Sequence, residues 1–184
     1  MAAWLDIIGS FVVAALLGLG VLRLNADMAL QTYGGSLDYA AQGSAQYLTR
    51  ALEDDLLKAG YGASVAVLAA DSTQVRFAAD LDADGSVDTL HYYAGPSVAG
   101  TPNPDDFVVY RAVSGQAPQA IRAGITHWHL SYYTAAGVPL AAPVDLAAVR
   151  GIAADITVES AAPFNGAYAR AFARVRAMPK NLGL

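Results

Sequence analysis

The chain contains 184 residues, of which 55% are hydrophobic and 15% charged, and its formal net charge is −5. This length accommodates one domain with a buried core plus an appendage. The acidic balance argues against nucleic acid as a partner, because a phosphate backbone would be repelled and the 11 basic residues form no cluster. Cysteine is absent, which excludes disulfide bonds and thiolate metal sites.

The mean hydropathy of +0.34 is high because of one uncharged stretch, Ile7 to Leu22. As a helix this stretch spans roughly 24 Å, which is short of a bilayer core of about 30 Å. A membrane-spanning helix would therefore begin near Ala2 and include Asp6. A cleaved secretory signal would require basic residues before the apolar run, whereas the first basic residue, Arg23, follows it. We expect a membrane or filament-core helix over residues 1–24.

Asp6 is the unusual residue of this helix, because a carboxylate near the end of an apolar helix is costly to bury unless it is neutralised or paired. Two alternatives follow: Asp6 lies at the membrane surface, or it meets a positive charge on a neighbouring subunit, such as a free N-terminal amine. Gly9, Gly18 and Gly20 allow close approach between helices, and the last two also allow bending. These four residues are the candidate assembly residues.

Residues 25–60 continue the helical pattern with an amphipathic character. Gly34-Gly35 interrupts this pattern and predicts a bend. We expect the helix to end near Ala59, with Gly60 as a left-handed cap. The predicted apolar face comprises Tyr33, Leu37, Ala41, Ser44, Leu48, Leu52 and Leu56, and the polar face comprises Asp38, Gln42, Gln46, Arg50, Asp54 and Asp55.

After residue 60 the hydrophobic period changes from that of a helix to two, which is the period of a strand. No alternation of strands with helices is present, so the sheet is expected to be mainly antiparallel. Pro118 to Ala123 is predicted as a short helical turn, and Asp145 to Arg150 as a loop or half-turn. The predicted strands are Ser64–Ala69, Gln74–Ala79, Val87–Tyr93, Phe107–Val113, Ile125–Tyr133, Ile152–Glu159 and Ala169–Ala177.

These elements predict an α+β fold, in which a long N-terminal helix, apolar and then amphipathic, packs on a mainly antiparallel β-sheet head. The predicted divisions are a membrane or filament-core helix over 1–24, its amphipathic continuation over 25–60, and a β-rich globular head over 61–184.

Several motifs occur in a characteristic order. The helix ends Leu-Leu-Lys-Ala-Gly-Tyr at 56–61, and an acidic turn at 80–88 leads into a strand that carries Tyr92 and Tyr93. Further along, Trp128, Leu130 and Tyr132 alternate on a strand before a turn at Gly137; a further strand covers 149–159, and the chain closes with Val175-Arg176 and Lys180-Asn181-Leu182. Taken in this order, the motifs resemble those of type IV pilin-like proteins, in particular minor pilins and pseudopilins of the W and J type.

The resemblance implies a subunit that is extracted from the inner membrane and packed by its N-terminal helix into a type IV pilus or the pseudopilus of type II secretion. It implies other pilin or pseudopilin subunits, the inner membrane and the pilus assembly machinery as partners. Its head would be periplasmic or extracellular. Members of this family begin with a basic leader and carry Glu at the fifth mature position. Here Leu5 is fifth and Asp6 follows it, and removal of Met1 would place Asp6 fifth.

The acidic turn matches the beginning of a D-x-D-x-D-G calcium loop, in which alternating carboxylates converge on a hard cation. The twelfth position, where such loops carry Glu, is His91. A structural calcium ion and a solvated acidic hairpin turn are both compatible with this pattern, and no cofactor is required. The candidate ligands are Asp80, Asp82, Asp84, Ser86 and Asp88, around Gly85.

Two further patterns favour ordinary sheet packing. His127 and His129 lie on one side of a strand, a spacing that can hold zinc, but the sequence supplies no third ligand. The pairs Tyr92-Tyr93 and Tyr132-Tyr133 place one ring on each face of the sheet, as expected for core packing and cross-strand contacts.

The chain carries no recognisable catalytic motif, so no catalytic residue is assigned and an enzyme is not expected. The function expected from the sequence is a structural pilin or pseudopilin subunit that assembles through its N-terminal helix. The alternative is a membrane-anchored adhesion or binding module whose head is stabilised by calcium.

Overall fold

The computed structural model describes residues 2–98 and 101–183. It contains one long helix, α1, followed by seven strands, β1–β7, and a short 3₁₀ helix between β5 and β6. The fold is α+β, as predicted. The bounds are α1 Ala2–Leu57, β1 Val67–Ala70, β2 Gln74–Ala79, β3 Asp88–Ser97, β4 Phe107–Val113, β5 Gln119–Tyr133, the 3₁₀ helix Leu146–Ala148, β6 Gly151–Glu159 and β7 Arg170–Ala177.

The chain divides into two compact units, residues 1–37 and 38–184, and α1 contributes to both. The helix runs without interruption through Gly34 and Gly35. Within the first unit the side chain of Trp4 and the large apolar side chains from Ile7 to Leu30 are exposed. An 18-residue window of α1 has a mean hydropathy of 2.2, and none of it is buried. By length and composition, α1 can therefore cross a membrane.

The second unit begins with the amphipathic part of α1, which packs one face into the hydrophobic core. The buried stripe repeats every three or four residues, as predicted for a helix face. Tyr33 belongs to the first unit and is exposed, and Ala45 rather than Ser44 continues the stripe. The stripe comprises Ala41, Ala45, Leu48, Leu52 and Leu56.

The end of α1 follows the prediction closely, since the helix ends at Leu57 and Gly60 adopts a left-handed conformation with φ +82°. The Gly60 N–H donates to the Ala78 carbonyl at 2.9 Å, which ties the turn to β2. A Cβ at this position would stand 2.7 Å from the Asn181 carbonyl oxygen. Both the backbone angle and the space therefore require glycine.

The seven strands form one sheet in chain order, and each strand pairs with its neighbours in antiparallel fashion. The sheet curls, and this brings β5 close to the turn between β1 and β2. The Leu130 N–H of β5 donates to the carbonyl of Ser72 in that turn at 2.9 Å. Its inner face meets the buried stripe of α1. The outer face carries His127, His129, Asp155 and Arg174.

The predicted helical turn over 118–123 is wrong, because β5 begins at Gln119. Ala120 pairs with Tyr110 and Ile121 with Val109, so β4 supplies the hydrogen-bond partners that a local turn would otherwise have to supply. The register shifts between Ile121 and Ile125, where Gly124 has φ +69° and forms a bulge. Tertiary pairing thus overrides the local turn signal. Predicted bounds of the other strands agree within a few residues, and β2 and β4 agree at both ends.

Candidate assembly segment, acidic loop and buried carboxylates

The candidate assembly residues all lie on the exposed part of α1. A Cβ added at Gly9, Gly18 or Gly20 would meet no atom within 4 Å. Asp6 is exposed, and its carboxylate forms no ion pair with any described residue. At about 100° per residue, Asp6, Gly9 and Gly20 share one face of the helix, whereas Gly18 points to a different side. Three of the four candidates therefore form one stripe, in which glycines leave room for an approaching helix.

A buried charged cluster joins α1 to the sheet, and sequence reasoning missed it. Asp55, predicted to be on the polar face of the helix, is 8% exposed. Its Oδ2 accepts from Arg111 Nε at 2.6 Å and from the Tyr92 hydroxyl at 2.6 Å, and its Oδ1 accepts from Arg111 Nη2 at 3.1 Å. Tyr92 and Arg111 lie directly opposite each other on β3 and β4.

The pKa values of this cluster follow from the same contacts. Burial is the largest influence on Tyr92 and raises its pKa, and the hydrogen bond to Asp55 raises it further. The hydrogen bond to Asp55 likewise raises the pKa of Arg111. The sequence signal was present but ambiguous: Asp55 lies three residues after Leu52, at the border of the apolar stripe, where either orientation is possible.

The structure brings together three of the five predicted calcium ligands. Carboxylate oxygens of Asp80, Asp82 and Asp84 lie within 4.8 Å of one another, with Asp80 buried and the other two exposed. The Gly85 N–H donates to Asp80 Oδ2 at 3.0 Å, and the Asp84 N–H donates to Asp80 Oδ1 at 3.2 Å. Chemically this arrangement is a set of hard oxygen donors, which suits a cation such as Ca²⁺.

The other two predicted ligands make other contacts. The Asp88 carboxylate accepts from the Ser114 hydroxyl at 3.1 Å, on the β4 side of β3. Ser86 is exposed and donates its main-chain N–H to Asp84 Oδ1 at 2.7 Å. His91, at the twelfth position, is half-buried with its Nε2 2.9 Å from Gln74 Oε1. The acidic triad, Asp80, Asp82 and Asp84, is therefore the part of the loop that can act together.

The outer face of the sheet carries the two exposed histidines. His127 and His129 stack with ring centroids 6.4 Å apart, and His129 lies opposite Asp155 on β6. The Asp155 carboxylate is bound by the guanidinium of Arg174 on β7. This ion pair is the main cause of the lowered pKa of Asp155, and the two histidines lower it slightly further. The carboxylate nearest the histidine pair is thus already engaged by a cation.

The tyrosine pairs are placed as predicted. Tyr92 and Tyr132 are buried on the inner face, while Tyr93 and Tyr133 lie half-buried on the other side. The Tyr132 hydroxyl donates toward the Asp71 and Gln74 carbonyls, at 3.0 and 2.8 Å.

A second group of buried carboxylates, also missed from the sequence, lies between the β3–β4 connection and the end of β6. Glu159 is 6% exposed, and both its oxygens are engaged: Asn103 Nδ2 donates to Oε2 at 2.9 Å, and Arg170 Nε donates to Oε1 at 2.7 Å. Asp106 is 4% exposed, and its Oδ1 is buried without a hydrogen-bond partner among the described residues. Both residues line one cavity of about 340 Å³.

Comparisons of the chain with protein-family models, with curated proteins and with solved structures returned no match. Three features of the chain bear on its function: the exposed apolar segment of α1, the acidic triad and the cavity lined by Asp106 and Glu159.

Proposed function

We propose that this chain is a structural subunit of the pilin or pseudopilin type, which assembles through its N-terminal helix. One observation carries the proposal: a single unbroken helix has a wholly exposed apolar segment at its start and a core-packed amphipathic segment at its end. In water the exposed segment would be strongly unfavourable. A membrane or a bundle of similar helices would cover this segment. A subunit of this type uses the membrane before assembly and the helix bundle after it.

Packing of like helices gives the assembly residues a physical role. Without water, helix association depends on close van der Waals packing and on polar contacts, and small residues allow both. The stripe of Gly9 and Gly20 provides the close approach. Asp6, on the same stripe, would be neutralised by a positive group of a neighbouring subunit, such as an N-terminal amine. Before assembly the helix would anchor the chain in the inner membrane, with the head in the periplasm.

Cross-linking tests this proposal cleanly, because the chain has no native cysteine. Val13 lies on the same stripe as Asp6 and Gly9. We expect full-length Val13→Cys in membranes to form disulfide-linked dimers on oxidation, and we expect filaments or ordered oligomers by electron microscopy once detergent is removed. A chain that stays monomeric and uncross-linked, alone and with co-expressed pilin subunits, would contradict the proposal.

Variants of the stripe separate assembly from folding. Asp6→Ala and Gly20→Leu should each reduce cross-linking, while near-ultraviolet circular dichroism of the head stays unchanged. Asp38→Ala removes an exposed carboxylate elsewhere on α1, and Gly18→Leu enlarges a glycine off the stripe. These two controls should assemble like the wild type. Equal assembly by all four variants would show that the stripe plays no part in assembly.

The acidic triad favours one second candidate, a binding or adhesion module whose head is stabilised by calcium. Calcium would raise the melting temperature of the full-length chain in detergent, and Asp82→Asn/Asp84→Asn would abolish that shift. Asp88→Asn is the matched control, because the Asp88 carboxylate contacts Ser114 rather than the triad. An unchanged melting temperature of the wild type in millimolar calcium would reject this candidate.

A further inference from the structure

The cavity beside Asp106 has features that the assembly role does not use. Its described lining combines small and apolar residues, among them Ala40, Ala41 and Phe107, with two acidic residues, Asp106 and Glu159. Its volume of about 340 Å³ falls within the range of small-ligand sites. A pocket with apolar walls and a few polar groups is the usual arrangement for binding an amphipathic group.

The charges in the cavity are unequally compensated. Glu159 is matched by Arg170 and by the Asn103 amide, so its charge and both oxygens are satisfied. Asp106 forms no ion pair with a described residue, and its Oδ1 is buried without a hydrogen bond among the described residues. Burial of an unpaired carboxylate is costly. The Oδ1 atom of Asp106 is therefore the acceptor that a ligand would satisfy.

The pKa of Asp106 agrees with this imbalance. Burial is the largest influence and raises the pKa, whereas a hydrogen bond to Thr101 lowers it. The negative charges of Glu159 and Asp105 raise it further. A cation in the cavity would favour the ionised carboxylate.

We propose that this cavity binds a primary ammonium group carried on an aliphatic stem, the chemistry of a lysine side chain or a simple alkylamine. The stem would lie along Ala40, Ala41 and Phe107, and the ammonium would donate to Asp106. The torsion about the Cβ–Cγ bond of aspartate has a broad energy profile, so the carboxyl group can turn an oxygen toward the cavity that it lines.

A divalent metal fits the cavity less well than a monovalent ammonium. Calcium requires six to eight oxygen ligands, and no group of three carboxylates or histidines forms here among the described residues. Arg122 also lines the cavity, is exposed, and has no ion pair within residues 2–98 and 101–183. Its charge would disfavour a divalent ion more strongly than a monovalent one.

The test is calorimetric titration of the full-length chain in detergent with Nα-acetyl-lysine methylamide. We expect saturable binding by the wild type. Asp106→Asn should bind with an affinity at least about tenfold lower, since a charge-assisted hydrogen bond is lost. The Nε-acetylated analogue, which has the same stem without the charge, should not bind. Absence of binding by the wild type, or equal binding of the acetylated analogue, would overturn the proposal.

Further variants keep the result interpretable if Asp106→Asn folds poorly. Ala40→Leu fills the cavity from an exposed helix position and should abolish binding, whereas Gln42→Leu, which does not line this cavity, should leave it intact. Arg122→Gln should tighten binding, because a like charge is removed. Weaker binding or a lower melting temperature for Arg122→Gln would identify Arg122 as the intramolecular partner of Asp106 and overturn the proposal.

Two comparisons identify the ligand class. The first compares the affinity of a five-residue peptide with a central lysine with that of n-butylammonium. Tighter binding of the peptide indicates a protein partner, and equal affinity indicates a free amine. Both results agree with ammonium recognition. Calcium binding that is lost in Asp106→Asn, with no amine binding, would replace the proposal by a metal site. These measurements do not depend on whether the chain assembles into filaments.

Discussion

Arg111 on β4 donates two hydrogen bonds to the Asp55 carboxylate on α1, from Nε to Oδ2 at 2.6 Å and from Nη2 to Oδ1 at 3.1 Å. The Asp55 carboxylate is nearly buried, while the Arg111 side chain keeps about a quarter of its surface exposed. The contact fixes the last turns of α1 against the inner face of the sheet.

We predict that Asp55→Ala lowers the free energy of unfolding by about 2–4 kcal/mol, because Arg111 and Tyr92 lose their shared acceptor in a mostly buried site. Urea unfolding of the full chain in detergent measures the change. Asp54→Ala, at an exposed neighbouring position, is the control and should change stability little. Similar losses for the two variants would show that the ion pair is not important.

Leu52 and Leu57 provide a matched pair on the same helix. Leu52 is fully buried and Leu57 is 48% exposed. Leu52→Ala should cost about 2–5 kcal/mol, since it removes core contacts and leaves a cavity, while Leu57→Ala should cost far less. Thermal and urea unfolding would both report this difference, and equal costs would mean that the helix face is assigned incorrectly.

Gly124 and Gly43 should respond in opposite directions to alanine. At Gly124, φ is +69° and a Cβ would stand 2.3 Å from the Glu159 carbonyl oxygen. Gly124→Ala should therefore destabilise the head by more than about 2 kcal/mol. Gly43 lies in α1 with open space around it, so Gly43→Ala should stabilise by about 1 kcal/mol. Equilibrium unfolding compares both with the wild type, and a neutral Gly124→Ala would argue against the bulge.

His91 predicts a pH dependence of stability. Burial lowers its pKa below the ordinary 6.5, nearby Arg76 lowers it further, and Asp71 partly offsets these effects. The His91 imidazole therefore binds a proton more readily in the unfolded chain than in the folded chain. Stability should fall as the pH drops below 6.5 and level off below the lowered pKa. His91→Gln should flatten this part of the profile of melting temperature against pH. Arg76→Gln should make the pH dependence smaller. A profile unchanged in His91→Gln would contradict the assignment.

Several features could be predicted from local sequence alone. The uncharged run after Asp6 and the three- and four-residue spacing of Leu48, Leu52 and Leu56 predicted the helix, because side chains that repeat with the helical period must share a face. Gly60 marked its end through a backbone angle that glycine adopts easily. The acidic residues of the turn at 80–84 were visible because they are close in sequence.

Tertiary structure alone decided the remaining features. Asp55 became buried because Tyr92 and Arg111, 37 and 56 residues away, meet on the sheet face that packs against α1. The segment predicted as a helical turn at 118–123 became strand because β4 supplied its hydrogen-bond partners. Asp106 and Glu159 share a cavity because Ile125 of β5 pairs with Phe107 of β4 on one side and with Val158 of β6 on the other. Local sequence encodes the helix and its apolar segment, since hydrophobic periodicity is local. The partners of buried charges depend on long-range register, which no local pattern encodes.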